Sequence, residues 1–235
     1  MRLLALAVTV LIGCGNVAAT ASDARPGDGA TGDAASNPCA PATCLLSDDF
    51  DGTSLDTSKW GMTASAGATI TVASGQLTIK LPAVANAFAD VHSLAGFPVG
   101  ATLEATVTFS PGQVADHKGA GFASDRVGSG CEVGETDSAM FRGQDGDAYI
   151  ETKAANTASC TKTTTMYPGG TSKLKIARMG NQVVFTQNGA AQPAVTANVP
   201  VGLLPVRFSA YTFTTTGPPL PVEIDVDTVF VRPPP

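Results

Sequence analysis

The chain is poor in charge. Only 14% of its 235 residues are Asp, Glu, Lys or Arg, the net charge is −6, and no run of one sign occurs. Nucleic acid and anionic membrane both demand a basic footprint, so neither is expected as a partner. Aromatic residues are also scarce, at 6%, with one Trp and three Tyr. Only His92 and His117 are histidines, each in what reads as a loop, and no Cys or His pair has finger spacing, which argues against zinc. There is no Gly-x-Ser-x-Gly elbow, no His-Glu-x-x-His and no phosphate-cradling glycine loop, so those enzyme classes have no footing. No internal repeat occurs and no helical period outlasts two turns. The 25 Gly and 16 Pro break the chain into short pieces instead.

The N-terminus carries a targeting pattern. Arg2 precedes Leu3 to Ile12, which is almost continuously apolar but too short to span a bilayer. The run closes as Leu11-Ile12-Gly13-Cys14, which resembles a bacterial lipobox. That resemblance implies a signal peptide over residues 1–13 and lipidation of Cys14, so that acyl chains alone hold the membrane. A plain secretory signal cut near Ala18 to Ala21 is the alternative. Gly15 rather than aspartate follows the cysteine, which points to the outer membrane of a bacterial envelope more than the inner one. Residues 14–47 read as a flexible linker of Ala, Gly, Thr, Ser, Asp and Pro without an aromatic. Four further cysteines in an exported chain predict two disulfides. One is a local Cys39–Cys44 bond pinning the end of the linker near Leu45 and Leu46.

From residue 48 to 235 the pattern is that of short strands. Thr69 to Val72, Gln76 to Lys80, Phe88 to Val91, Ala101 to Phe109 and Gly119 to Ala123 come first. Leu103, Ala105, Val107 and Phe109 alternate with Thr102, Glu104, Thr106 and Thr108. Lys173 to Gln192 reverses twice, at Gly180-Asn181 and Asn188-Gly189, and Val206 to Phe213 and Val222 to Val231 complete the series. Asp145-Gly146 is a two-residue hairpin signal that pairs Phe141 with Ile150. Continued outward, the same register brings Cys131 opposite Cys160 and places both on the face of Phe141 and Ile150. A Cys131–Cys160 cross-strand bond is therefore predicted.

Two blocks carry a family resemblance. Asp48-Asp-Phe-Asp-Gly, Leu55-Asp56 and Trp60 resemble the opening of bacterial concanavalin A-like (lectin/glucanase, laminin-G-like) domains. The run around Gly180-Asn181, Val183-Val-Phe185 and Asn188-Gly189 is similar to the same family. The resemblance implies an all-β, two-sheet antiparallel jelly-roll sandwich, and Trp60 in or beside its core. It also implies candidates for chemistry. Glucanases sharing the jelly roll carry a Glu-x-Asp-x-Glu strand, which Glu223 and Asp225 match in part. Here Asp227 replaces the second Glu, and the strand is the last rather than a central one. Family members also hold a structural calcium near the last strand, which would use Asp227 and Asp49 with main-chain oxygens. Sugar binding needs aromatic platforms, for which Tyr167, Tyr149 and Tyr211 are the candidates. Arg126, Glu132, Glu135 and Asp137 read as solvated loop charges. The expected function is non-catalytic binding of a glycan or other envelope component. A divergent glycoside hydrolase using Glu223 and Asp225, and an adhesion module with an envelope-protein partner, are the alternatives.

Overall fold

The computed structural model describes residues 39, 44–125, 135–163, 170–213 and 217–234. Signal residues 1–13, Cys14, Arg126, Cys131, Glu132 and Tyr167 lie outside them. The described residues form fifteen strands and no helix. In chain order these are β1 Leu46–Asp48, β2 Trp60–Ala64, β3 Thr69–Ala73, β4 Gln76–Leu81 and β5 Phe88–Phe97. Then come β6 Thr102–Phe109, β7 Asp116–Ala123, β8 Ser138–Gln144, β9 Asp147–Ala154 and β10 Thr157–Thr163. The series closes with β11 Gly170–Met179, β12 Gln182–Gln187, β13 Ala190–Ala191, β14 Leu204–Thr212 and β15 Val222–Arg232.

All pairings are antiparallel, in two sheets. The first runs β13-β12-β11-β6-β15-β4-β3, with β1 also on β15, and the second runs β10-β9-β8-β7-β14-β5-β2. Alternation decides which face of each strand is buried between the sheets. In β4, Leu77, Ile79 and Leu81 are fully buried, each contributing about 1.5–3 kcal/mol relative to exposure. In β6, Leu103, Ala105, Val107 and Phe109 point inward, as the sequence predicts. Trp60 lies in the core, 2% exposed, between the rings of Phe50 and Phe208 at centroid distances of 5.8 and 6.2 Å. Its indole N–H donates to Asp48 Oδ2 at 2.8 Å, which ties the opening block to the sandwich.

The sequence boundary at Asp48 falls inside a strand. Leu46 pairs with Val231, and Cys39, bonded to Cys44, is buried. On β15, β4 is the partner only as far as Val226 and β1 begins at Val229. The register of β15 on β6 shifts between Val226 and Thr228, so a bulge marks the handover.

Three turns carry their expected chemistry. Asp145-Gly146, Asn188-Gly189 and Ser74-Gly75 all have positive φ at both residues, the type I′ requirement. Phe141 pairs with Ile150 as predicted. The continuation of that hairpin to Cys160 does not hold. β9 stops at Ala154, the chain reverses through Ala155-Asn156, both at positive φ, and Cys160 lies on β10 opposite Glu151. Paired residues share a face, so Cys160 sits on the side of Glu151, not of Phe141 and Ile150. Cys160 is disulfide-bonded, and its expected partner Cys131 is not among the described residues.

Candidate functional site

The outward face of the second sheet is the unusual surface of this molecule. Outward positions of a sandwich are normally solvated. Here Arg142, Glu151, Lys153 and His117 are at most 1% exposed, and Arg207 and Ser209 are 4%. Ionic groups in that setting must find partners, because an unpaired buried charge is very costly.

Two ionic clusters supply them, and a stacked ring pair lies on the same face. On β8 and β9, the Arg142 guanidinium donates to the Glu135 carboxylate and to Glu151 Oε1 at 3.3 Å. Ser138 Oγ donates to the same Glu151 oxygen at 2.5 Å. Burial alone would raise the Glu135 pKa, but the charge and hydrogen bond of Arg142 outweigh it and hold the carboxyl below its ordinary range. On β14 and β5, Arg207 lies opposite His92 and Ser209 opposite Asp90. Arg207 reaches Asp90 Oδ2 at 2.6 Å and Asp125 Oδ1 at 3.1 Å. Asp90 Oδ1 meets His92 Nδ1 at 2.7 Å. A Cβ on Gly61 would lie 2.5 Å from His92 Nε2, so glycine lets the imidazole lie across β2. On β14 and β7, Tyr211 stacks on His117 at 4.2 Å and 22°.

The structure distributes the sequence-predicted residues between two faces. Tyr149 and Tyr211 are on this layer, Tyr149 opposite Arg142 and Tyr211 opposite His117. Tyr167 is not among the described residues. Glu135, expected to be a solvated loop charge, is 1% exposed and ion-paired. Both histidines are on strands, not in loops. Sequence reading missed this layer because nothing in a strand pattern distinguishes an outward Arg that is solvated from one that is covered.

Glu223, Asp225 and Asp227 face outward from the first sheet, away from that layer. Glu223 is ion-paired with Lys80 at 2.9 Å, and Asp225 accepts from Thr78 Oγ1 at 2.6 Å. Asp225 has a raised pKa, chiefly through burial, with Glu223 and Asp227 adding to it against the Thr78 hydrogen bond. Asp227 stands at the bulge of β15, and its Oδ1 accepts from Gln76 Nε2 at 2.8 Å. Asp49 is exposed. Among the described residues, no group of three or more His, Cys, Asp or Glu side chains is placed to hold a metal. Asp227 and Asp49 belong to no such group.

With the geometry in hand, the class is a concanavalin A-like jelly roll, the fold of glycoside hydrolase family 16 proteins. No protein-family model and no curated protein sequence matches the chain. Solved structures do. A β-1,3-glucanase from Mycobacterium marinum aligns over 81% of this chain and 99% of its own, at 18% identity and a TM-score of 0.59. A protein of Mycobacterium tuberculosis described as an immunostimulatory antigen and pseudo β-1,3-glucanase covers 82% and 99%, at 16% identity and 0.61. A structure reported for endo-acting O-glycanases of the human gut microbiota that initiate mucin breakdown covers 80% and 98%, at 15% identity and 0.61. At these identities the likeness establishes the fold.

Proposed function

We propose that this chain is a lipid-anchored protein of the bacterial envelope whose sandwich binds a glycan without cleaving it, through the outward face of the second sheet. One observation carries the non-catalytic part. Glycoside hydrolysis needs a carboxyl kept protonated as acid beside a second carboxylate. On this face Glu135 and Glu151 share one guanidinium, and Glu135 is shifted the wrong way for an acid. What the face offers is recognition: the part-exposed His92 imidazole beside Asp90 and Arg207, and the part-exposed ring of Tyr149. That structures similar in fold bear glucanase and glycanase names supports a glycan as the ligand class. Lipidation at Cys14 and an outer-membrane address belong to the same proposal, and intact-mass analysis of the envelope fraction tests them.

The test of the binding function pairs a broad glycan array with an assay for sugar release, both on the exported chain. Binding without release is expected. Chelation is expected to leave binding intact, since Asp227 and Asp49 belong to the side of the first sheet. Sugar release that disappears in Glu223→Gln would establish the hydrolase reading instead, for which the raised pKa of Asp225 is the one favourable observation. Silence across the array would favour a protein partner, sought by crosslinking in cells.

A further inference from the structure

We infer that a second copy of this chain pairs edge to edge with the first through β3, on a two-fold axis at Thr71. The first observation is in the sequence. Residues 60–79 are a run of twenty without Asp, Glu, Lys, Arg or His. The run holds β2 and β3, the edge strands of the second and the first sheet. Only residues 65–68 join them, so both uncharged edges lie on one side of the sandwich. Edge strands ordinarily carry lysine, proline or a bulge that stops further pairing. β3 has none of these: it reads Thr-Ile-Thr-Val-Ala, in unbroken register on β4. The other edge of the same sheet, β13, is only two residues long. Among the described residues no strand pairs with the free side of β3.

The main chain of β3 is arranged to pair with itself. Ser74-Gly75 makes a two-residue turn, so the flanking Ala73 and Gln76 form a hydrogen-bonded pair, and such pairs alternate along the ladder. Thr69, Thr71 and Ala73 therefore bond to β4, while the N–H and C=O of Ile70 and Val72 point to the open edge. A second β3 running antiparallel, with Thr71 opposite Thr71, sets Ile70 against Val72 and Val72 against Ile70. All four edge groups of each copy then find partners, and Thr71 meets its own copy in a non-hydrogen-bonded pair. The side chains agree. Ile70 and Val72 turn to the core with Ile79 and Leu77, yet Ile70 is only half-buried at the edge, where a second copy would cover it. Thr69, Thr71 and Ala73 are exposed on the other face. Close to a two-fold axis a charge meets its own copy, so an uncharged edge removes the repulsion that opposes self-pairing. The paired edges extend the first sheet across both copies and leave the two second sheets on one side, their outward faces turned the same way. The surface is separate from those faces, so the pairing does not depend on what they bind.

A five-residue pairing is a small interface, so the association belongs to the weak, reversible class, and a covalent trap reads it best. Thr71→Cys in the exported chain should form a disulfide-linked dimer under mild oxidation at least tenfold faster than Thr69→Cys. A non-hydrogen-bonded antiparallel pair brings its Cα atoms to about 4.5 Å, within disulfide reach, whereas the two copies of Thr69 would lie about 14 Å apart along the strand. Sedimentation equilibrium supplies a second readout. Thr71→Lys should weaken self-association at least tenfold with the melting temperature unchanged, since Thr71 is exposed. Mixing the Thr71→Lys and Thr71→Glu chains should restore association, because opposite charges then meet on the axis. Crosslinking at position 71 no faster than at position 69 overturns the pairing. So does a Thr71→Lys chain that associates as tightly as a dimeric parent, which would put the contact on another surface.

Discussion

The two sheets turn opposite kinds of surface outward. The first sheet shows Thr102, Thr106, Thr108, Lys175, Glu104, Lys80 and Glu223, a row of half-exposed polar residues paired across strands. Thr108 meets Thr171 at 2.7 Å, Thr228 meets Thr106 at 2.9 Å, and Lys175 meets Glu104 at 3.3 Å. Water competes for every one of those contacts, so each is weak and replaceable. The second sheet buries its outward charges, where desolvation makes each partner obligatory. A β-sandwich needs only one apolar face per sheet to fold. The second polar layer is therefore extra to the fold, and it is the surface proposed to bind a ligand.

The largest expected effect breaks the buried layer. Arg142→Met strands Glu135 and Glu151 without their cation and should cost about 3–5 kcal/mol, read as a fall in the urea midpoint. Replacing Glu135, Arg142 and Glu151 together with apolar residues should recover much of that loss. A triple variant as unstable as Arg142→Met would mean that the ion network is not what Arg142 supports.

Acid titration separates the faces by sign. Glu135 has a folded pKa below its ordinary 4.5, so the folded state holds its charged form. Its contribution is fully present above 4.5 and is lost as pH falls through the lower folded pKa. Asp225 is shifted the other way, above 3.8, so it favours folding in its protonated form and that contribution disappears as pH rises through the folded pKa. Unfolding free energies measured from neutral pH into acid should show a loss that Glu135→Gln flattens and Asp225→Asn makes slightly steeper. Identical profiles for the two variants would contradict the assignment.

The smallest effect belongs to the exposed pair. Glu223→Gln removes the partner of Lys80, whose side chain is 51% exposed, and should leave the melting temperature unchanged. A clear loss there would show that the first sheet also depends on its outward charges.

Much of the sandwich was legible because its signals are local. Leu77 and Ile79 alternate, Asp145-Gly146 demands a type I′ turn, and Trp60 follows an acidic opening block whose Asp48 receives the indole N–H. The strands that escaped notice are those without alternation: β1 with its three residues, β2 with Gly61 and Met62, and β10 with Thr157 to Thr163. The Cys160 register failed for a related reason. Ala155 adopts positive φ, which an alanine gives no cue to, and the reversal transfers Cys160 to another strand and the other face.

By itself, then, the sequence determined the all-β class, the hairpin registers set by Asn-Gly and Asp-Gly, and which residues of β4 and β6 face inward. These follow from φ preferences and the two-residue period of a strand, both properties of a few neighbouring residues. Only the tertiary structure decided that the outward side of the second sheet is buried, that Glu135 and Glu151 converge on Arg142, and that Asp90 and Ser209 face one another across β5 and β14. Burial and pairing of that kind depend on which strands become neighbours and on what covers them. Residues as far apart as Asp90 and Arg207 meet only when the sheet is assembled.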